Sequence, residues 1–367
     1  MHLHNYEFIA EQFAWPCQVF EVREFGNGNI NDTYLVSTSS TEEEHFILQR
    51  INVHVFRHPK LIMQNMRAFT EHMRNRAHDE GHRWKMPRVL ATKAGQDFYV
   101  DSGGNFWRAI SFIQGAQSFN IIKDVRHARE VGHALGMFQF LIHDLPVNKL
   151  ADTLEGFHII PRYLQNFDRV LSQNNFKSNP EVRHCMNFVS TRRHWAFVLE
   201  NAYEQGKLSL RPVHGDPKVD NVMIEESTGN AISLVDLDTV KPGLIHYDIG
   251  DCMRSGCNPL GEETEHWEAV HFDLEIGAAI LEGYLTQARH FLIPADYQYL
   301  FDSIRLLAFE LGLRFFTDYL AGNVYFKVKY PEHNLQRALV QFKLTESIEA
   351  FEGDIRNIIQ FMASRTI

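Results

Sequence analysis

The sequence predicts an α+β fold, with a small antiparallel-sheet lobe at the amino terminus and a larger, mostly helical lobe after it. Three observations carry this. Short β-rich runs separated by polar turns fill residues 1–115, apolar residues recur at helical intervals over residues 116–367, and the segments richest in chemistry fall on short strands and loops between those helices.

In chain order, Asp32 to Val36 runs into the polar stretch 37–44, and Phe46 to Ile51 resumes an apolar run, the pattern of a hairpin. From Pro59 to Arg76, Leu61, Ile62, Met66, Phe69 and Met73 recur at helical spacing. Two further β-rich pieces, Phe98 to Val100 and Phe106 to Ile113, flank the turn signal Ser102-Gly103-Gly104. The first lobe therefore reads as strands with one helix. After Gln114-Gly115 the character changes: Val125 to Leu141 places Val131, Leu135, Phe138 and Leu141 on one helical face. The tracts Pro161 to Gly206, Glu263 to Leu320 and Glu332 to Met362 are also helix-rich, the last reading as a long tail helix, while Val213 and Ala231 to Val235 read as short strands.

The 367 residues suffice for two compact domains. With 46 acidic against 36 basic residues and no Lys/Arg-dense run interleaved with aromatics, the chain is not expected to bind nucleic acid. Cys17, Cys185, Cys252 and Cys257 fit no zinc framework and read as reduced, buried thiols. The start of the chain lacks a secretory pattern and no stretch stays apolar long enough to cross a bilayer, so a cytoplasmic protein without membrane contact, monomeric or weakly dimeric, is expected.

The richest chemistry lies in His214-Gly215-Asp216-Pro217-Lys218-Val219-Asp220-Asn221 and the later Val235-Asp236-Leu237-Asp238. A loop carboxylate can orient a hydroxyl and take its proton, and an amide oxygen with a second carboxylate can hold Mg²⁺, so these are the parts that phosphoryl transfer needs. His-x-Asp followed by Asn also arises in ordinary polar turns. Asp236, at the end of an apolar strand, tips the balance toward function, with Asp216 as base and Asn221 and Asp236 as metal ligands. Asp238 either joins the metal through water or caps the next turn, with capping favoured. Lys218 either neutralises the transferred phosphoryl group or is a solvated surface lysine. His214 is expected to buttress the loop. Earlier, Phe25-Gly26-Asn27-Gly28-Asn29-Ile30-Asn31-Asp32-Thr33-Tyr34 can bring backbone amides close to phosphate, with Gly26, Gly28, Asn31 and Thr33 as nucleotide-binding candidates; a plain hairpin turn uses the same residues.

Together these motifs resemble the aminoglycoside/choline-kinase-like phosphotransferases, which share a two-lobed protein-kinase-like fold. The stretches Gly28 to Val36, Val235 to Gly243, Tyr247 to Asp251 and Leu313 to Leu320, running on to Tyr325-Phe326 and Lys329 to Asn334, are similar to the N-acetylhexosamine 1-kinases of that family over nearly the whole chain. The resemblance implies ATP and Mg²⁺, an N-acetylated hexose as acceptor and its anomeric hydroxyl as nucleophile. It further implies sugar contacts from Arg314 and Tyr325, a sugar-side position for Asn29, and a hinge at Ser111, Phe112 and Ile113 that meets adenine.

Where many relatives place a strand lysine for the phosphates, this chain has Gln49 and Arg50, which alternation points to opposite faces; one of the two is expected to reach the nucleotide. The helix residue that would pair with such a lysine falls at Asn65 or Arg67. Asp248 and Asp251 are expected to hold backbone, and Arg254 either meets phosphate or bridges those carboxylates. Gly215 and Asn29 depart from the sugar-kinase pattern. Two other outcomes stay open: phosphorylation of another small alcohol, such as an aminoglycoside, choline, ethanolamine or homoserine, with Glu262, Glu263 and Glu265 available to a cationic acceptor, or a non-catalytic nucleotide-binding module.

Overall fold

The computed structural model describes residues 3–13, 18–26, 30–39, 44–79, 84–173, 176 and 179–364. The amino-terminal lobe opens with α1 (Leu3–Ala10), then β1 (Val19–Glu24), β2 (Asp32–Thr38), β3 (His45–Ile51), α2 (Pro59–Asp79), β4 (Val89–Leu90), β5 (Tyr99–Val100) and β6 (Phe106–Ser111). All pairings are antiparallel, in the order β1-β2-β3-β6-β4 with β5 against β6. Asp32 opposes Arg50 and Gln49 opposes Arg108. Alternation then sorts the side chains. Tyr34, Val36, Phe46, Leu48, Trp107 and Ala109 bury one face beneath α1, whose Ile9 and Ala10 join them. Thr33, Leu35, Ile47, Gln49 and Arg108 belong to the opposite face.

The expected hairpin and the α2 helix are present. Three details differ from the sequence reading. The lobe carries a second helix, α1, and an additional edge strand, β1, and β6 stops at Ser111 rather than Ile113. At that point Ser111 turns to the strand-4 segment instead: its N–H donates to the Arg88 carbonyl at 2.9 Å and its hydroxyl accepts the Arg88 N–H at 2.8 Å.

The chain crosses into the helical lobe through β7 (Ala116–Gln117) and α3 (Val125–Ile142), then α4 (Ile160–Gln173), α5 (Pro180–Arg192) and α6 (Val198–Glu204). Next come β8 (Arg211–Val213), β9 (Val222–Glu225), β10 (Ala231–Leu234), β11 (Lys241–Gly243), α7 (Ile245–Gly256), α8 (Leu274–Ala288), α9 (Pro294–Leu320), α10 (His333–Ala350) and α11 (Glu352–Ser364). Local chemistry sets several helix starts. Asp124 accepts the His127 N–H at 2.8 Å, Asn179 accepts the Val182 N–H at 2.7 Å ahead of Pro180, and Asp273 accepts the Ile276 N–H at 3.1 Å. The Asp273 cap delays α8, so residues 263–273 carry only the single turn Trp267–Ala269 where helix was expected. The tail is two helices that break at Phe351, not one.

The main core joins α2, α3, α8 and the strands after β8. Cys185, Cys252 and Cys257 are buried free thiols, and Cys17 lies outside the described residues. Among the described residues, no helix is long and apolar enough to cross a membrane. Helices α3 and α8 touch backbone to backbone: a Cβ on Gly132 would lie 1.9 Å from the Ile280 carbonyl oxygen, and one on Gly283 would lie 1.9 Å from that of Arg129. Gly132→Ala should therefore lower stability by about 1–3 kcal/mol or more, read as a fall in the urea midpoint, since this overpacking cannot be relieved by rotating a side chain.

Candidate active site

The loop after β8 is held by its backbone. Buried Asp248 on α7 accepts the N–H groups of His214 (2.9 Å) and Gly215 (2.8 Å) and takes a third bond from Gln139 Nε2 (2.9 Å). Gly215 has φ +86°, and a Cβ there would lie 2.8 Å from the Thr239 carbonyl oxygen, so a side chain is excluded on both grounds. His214 Nδ1 accepts the Asp216 N–H at 3.2 Å, which leaves Nε2–H to donate to the Val235 carbonyl at 3.0 Å. Burial pushes this imidazole down to about 4, so it is a neutral strut, as the sequence suggested.

The same struts place the three chemistry-bearing residues side by side. Asn221 Nδ2 donates to the Asp216 carbonyl at 2.7 Å, the Val235 N–H donates to the Asn221 carbonyl at 2.9 Å, and Thr239 Oγ1 donates to the His214 carbonyl at 2.8 Å. Asp236 follows Val235 in left-handed backbone, φ 62° and ψ 62°, a strained conformation for a residue with a side chain. Its side chain opens onto solvent rather than into the core. Lys218 Nζ stands 3.4 Å from Asp216 and 3.8 Å from Asp220. Burial pushes Asp216 up to about 7, against the pull of Lys218 and with the charges of Asp251, Asp236 and Asp220 adding to the rise. Asp236 is raised to about 6 by burial and by Asp238; because it is the more accessible of the two, its charged form is better solvated than burial alone implies. Lys218 is held well above its ordinary value, chiefly by Asp216.

Asp216, Asp220 and Asp236 thus act together on one ammonium, a charge excess suited to a hard cation. Among the described residues no group of three or more His, Cys, Asp or Glu forms a ready-made metal cage. Asn221 turns its N–H inward and no protein donor reaches its Oδ1 among the described residues, so the donor set fits a cation held by few protein oxygens together with phosphate.

Above this loop, Asp238 caps no turn, which corrects the favoured expectation from sequence. It is buried in an ion pair with Arg108 of β6 and accepts Asn31 Nδ2 at 2.6 Å. Gln49 Oε1 takes Arg108 Nε (2.9 Å) and Nη2 (2.6 Å), and Gln49 Nε2 donates to Thr33 Oγ1 at 3.0 Å. Asn31 Oδ1 also accepts the Asn52 N–H at 2.9 Å. Of the alternative pair, Gln49 therefore lies with Arg108 on the face toward Asp238, whereas Arg50 lies on the other face, paired with Asp32 and 5.9 Å from the Trp107 ring centre. Arg50 is thereby removed as a nucleotide contact. Asn65 ties α2 to the helical lobe by donating to the carbonyls of Ala151 (2.8 Å) and Val240 (3.0 Å), and Arg67 pairs with Asp97. Arg108 was missed from the sequence, although its cross-strand position opposite Gln49 is the signal that would have found it.

At the strand-6 end of the cleft, Ile113 is buried, and Phe112 meets Phe25 edge-to-face at 5.8 Å. Gly26, in left-handed backbone, has open space around its Cβ position. Gly28 and Asn29 lie outside the described residues. On α7, Arg254 bridges Asp251 (2.8 Å) and Glu262 (2.9 Å), not Asp251 and Asp248 as expected, and Asp251 pairs with it rather than holding backbone.

The Arg314 guanidinium stacks near Phe157 (5.3 Å), Tyr163 (5.2 Å) and Phe326 (5.5 Å). Burial opposes its charge, but Tyr163, Glu310, Tyr325 and Asp216 more than offset this, which also places it within the electrostatic reach of Asp216. Tyr325 is 54% exposed beside it. Asp318 builds the loop that carries Tyr325 by accepting the N–H groups of Val324 (2.9 Å), Tyr325 (2.8 Å) and Phe326 (3.0 Å), plus Asn334 Nδ2 (2.9 Å).

A family model described as the phosphotransferase enzyme family matches residues 21–290. Among solved structures, the chain is similar to an aminoglycoside phosphotransferase from Alicyclobacillus acidocaldarius subsp. acidocaldarius DSM 446, at 13% identity over 97% of this chain and 96% of that one, with a TM-score of 0.62. It is also similar to a choline kinase from Cryptosporidium parvum Iowa II, at 15% identity over 93% of each chain and a TM-score of 0.58. A third is a spectinomycin phosphotransferase in complex with ADP and spectinomycin, at 14% identity over 100% of this chain and 99% of that one and a TM-score of 0.54. At these identities the likeness establishes the shared two-lobed fold.

Removing one partner of the Arg108–Asp238 pair leaves a buried charge alone, so Arg108→Met should destabilise by about 3–5 kcal/mol in chemical denaturation. Adding Asp238→Leu should recover much of that loss; additive losses in the double-mutant cycle would show that the two side chains do not interact.

Proposed function

The chain belongs to the phosphotransferase enzyme family, and on that footing we propose that it transfers the γ-phosphoryl group of ATP to the anomeric C1 hydroxyl of an N-acetylhexosamine, of the N-acetylglucosamine or N-acetylgalactosamine type. Residues 1–115 act as the nucleotide-covering lobe, and residues 116–367 supply the catalytic loop, metal site and acceptor site. The setting is cytoplasmic. Asp216 accepts a hydrogen bond from the C1 hydroxyl and orients its oxygen in line with the γ-phosphorus, and the proton passes to Asp216 late, because the transition state is loose. Lys218 meets charge on the transferred group. Asn221 Oδ1 and the Asp236 carboxylate would hold Mg²⁺, which when bound neutralises phosphate charge and fixes the triphosphate. Gly26, Gly28, Asn31, Thr33 and Gln49 cover the phosphates, and Ser111, Phe112 and Ile113 flank the adenine.

The observation that carries the choice of acceptor is the cation Arg314, whose charge is felt together with that of Asp216, and the state of two acids on the segment after α7. Of the acids that a cationic acceptor could use, Glu262 is taken by Arg254, and Glu263 by Lys329 (2.9 Å), His333 (3.0 Å) and Arg337. Arg314, within electrostatic reach of Asp216, is suited to hydroxyl or acetyl oxygens, with the Tyr325 ring for the pyranose. The names of the related structures favour a second reading, transfer to an aminoglycoside or amino alcohol. ATP consumption across a panel of free hexosamines, choline, ethanolamine, homoserine and aminoglycosides separates the two, with turnover expected on an N-acetylhexosamine and turnover confined to amines sinking the sugar reading.

Two variants test the assigned roles. Asp216→Asn should lower the single-turnover rate by roughly 10²-fold or more with nucleotide binding retained; a near-normal rate removes Asp216 from its role. Arg314→Ala should raise the acceptor KM about tenfold while leaving the ATP KM nearly unchanged, and equal effects on both would mark Arg314 as structural.

A further inference from the structure

His158 joins two parts of the proposed site through the protein's own groups. It sits just before α4 with left-handed backbone, φ 64°, and is buried. Its Nε2 lies 2.7 Å from the Gly215 carbonyl oxygen and its Nδ1 lies 3.0 Å from Glu310 Oε2. A carbonyl only accepts, so Nε2 carries a proton; a carboxylate also accepts, so Nδ1 is drawn to carry one too. Glu310 in turn stands 3.5 Å from Arg314 Nη1. The line Arg314, Glu310, His158, Gly215 carbonyl ends one residue from Asp216.

Resting on the sugar-kinase reading, we propose that His158 is a positioning residue whose two ring N–H groups tie Glu310, and through it Arg314, to the Gly215 carbonyl, and so fix where Asp216 stands relative to the acceptor. The surroundings support a charged ring. Besides Glu310 on α9, the α7 carboxylates Asp251 and Asp248 act on it through space, the Tyr247 ring lies 5.5 Å away, and the Tyr163 hydroxyl is hydrogen-bonded to the His158 backbone. Burial alone would discharge it, but Glu310, Asp251 and the Gly215 carbonyl more than offset that and hold it above the ordinary 6.5. The sign follows: the imidazolium link is complete below that ordinary value and is lost as pH rises through the raised one.

The test compares wild type, His158→Asn and Glu310→Gln, because Asn tolerates left-handed backbone and Gln keeps the shape of Glu. Using the hexosamine that wild type phosphorylates, kcat should fall roughly 10- to 100-fold in both variants with the ATP KM held within about twofold. The alkaline decline of wild-type kcat should be absent in His158→Asn. Independently of turnover, ¹⁵N-histidine NMR of wild type at about pH 6.5 should show both His158 nitrogens predominantly protonated, where an ordinary histidine is about half neutral. An active wild type with unaltered kcat in both variants, or with a neutral His158, overturns this inference alone. A wild type that phosphorylates no hexosamine overturns the kinase reading beneath it.

Discussion

The buried pair of Arg108 and Asp238 fixes how the amino-terminal sheet meets the catalytic segments. Both side chains are nearly inaccessible, at 1% and 2% exposure, so neither charge is stable without the other. Asp238 stands in the single turn Leu237–Thr239. Holding it there also holds Asp236 in strained backbone on one side and Thr239 on the other. Thr239 in turn bonds the His214 carbonyl and closes against Gly215. One cross-lobe contact therefore reaches the catalytic loop through Thr239; Asn31 and Asn65 repeat the link between lobes, and Gln49 holds Arg108 in place for it.

Charge divides the candidate site into two regions. Around Asp216 and Asp236, carboxylates outnumber cations, which suits a metal ion carrying phosphate. Toward Tyr325, Arg314 projects among rings while Glu262 and Glu263 are neutralised by partners of their own. Asp318 and Asp248 do mechanical work instead, each collecting backbone N–H groups so that a loop has one shape.

The antiparallel sheet, the helical remainder and the loop chemistry were legible because they depend on local pattern: alternation, helical spacing, and polar residues at strand ends. Asp216, Asn221 and Asp236 were readable for the same reason, each a short step from an apolar strand. What the pattern did not reveal was long-range pairing. Alternation states that Arg108 and Gln49 share a face but not that Asp238 comes to meet them, so Asp238 read as a cap and Arg50 stayed level with Gln49. His158 was invisible, since a left-handed residue in a loop carries no periodic signal and its partners come from two distant segments. The break at Phe351 and the cap at Asp273 likewise reflect tertiary packing and a single side chain rather than periodicity.

The central claim is that the oxygens of Asn221 and Asp236 face one shared site beside Asp216. A crystal structure with Mg²⁺ and a non-hydrolysable ATP analogue tests it most directly. The expected result is a metal about 2.0–2.1 Å from Asn221 Oδ1 and an Asp236 oxygen, with the γ-phosphate next to Asp216. A metal held elsewhere, or a nucleotide bound away from these three residues, would contradict it.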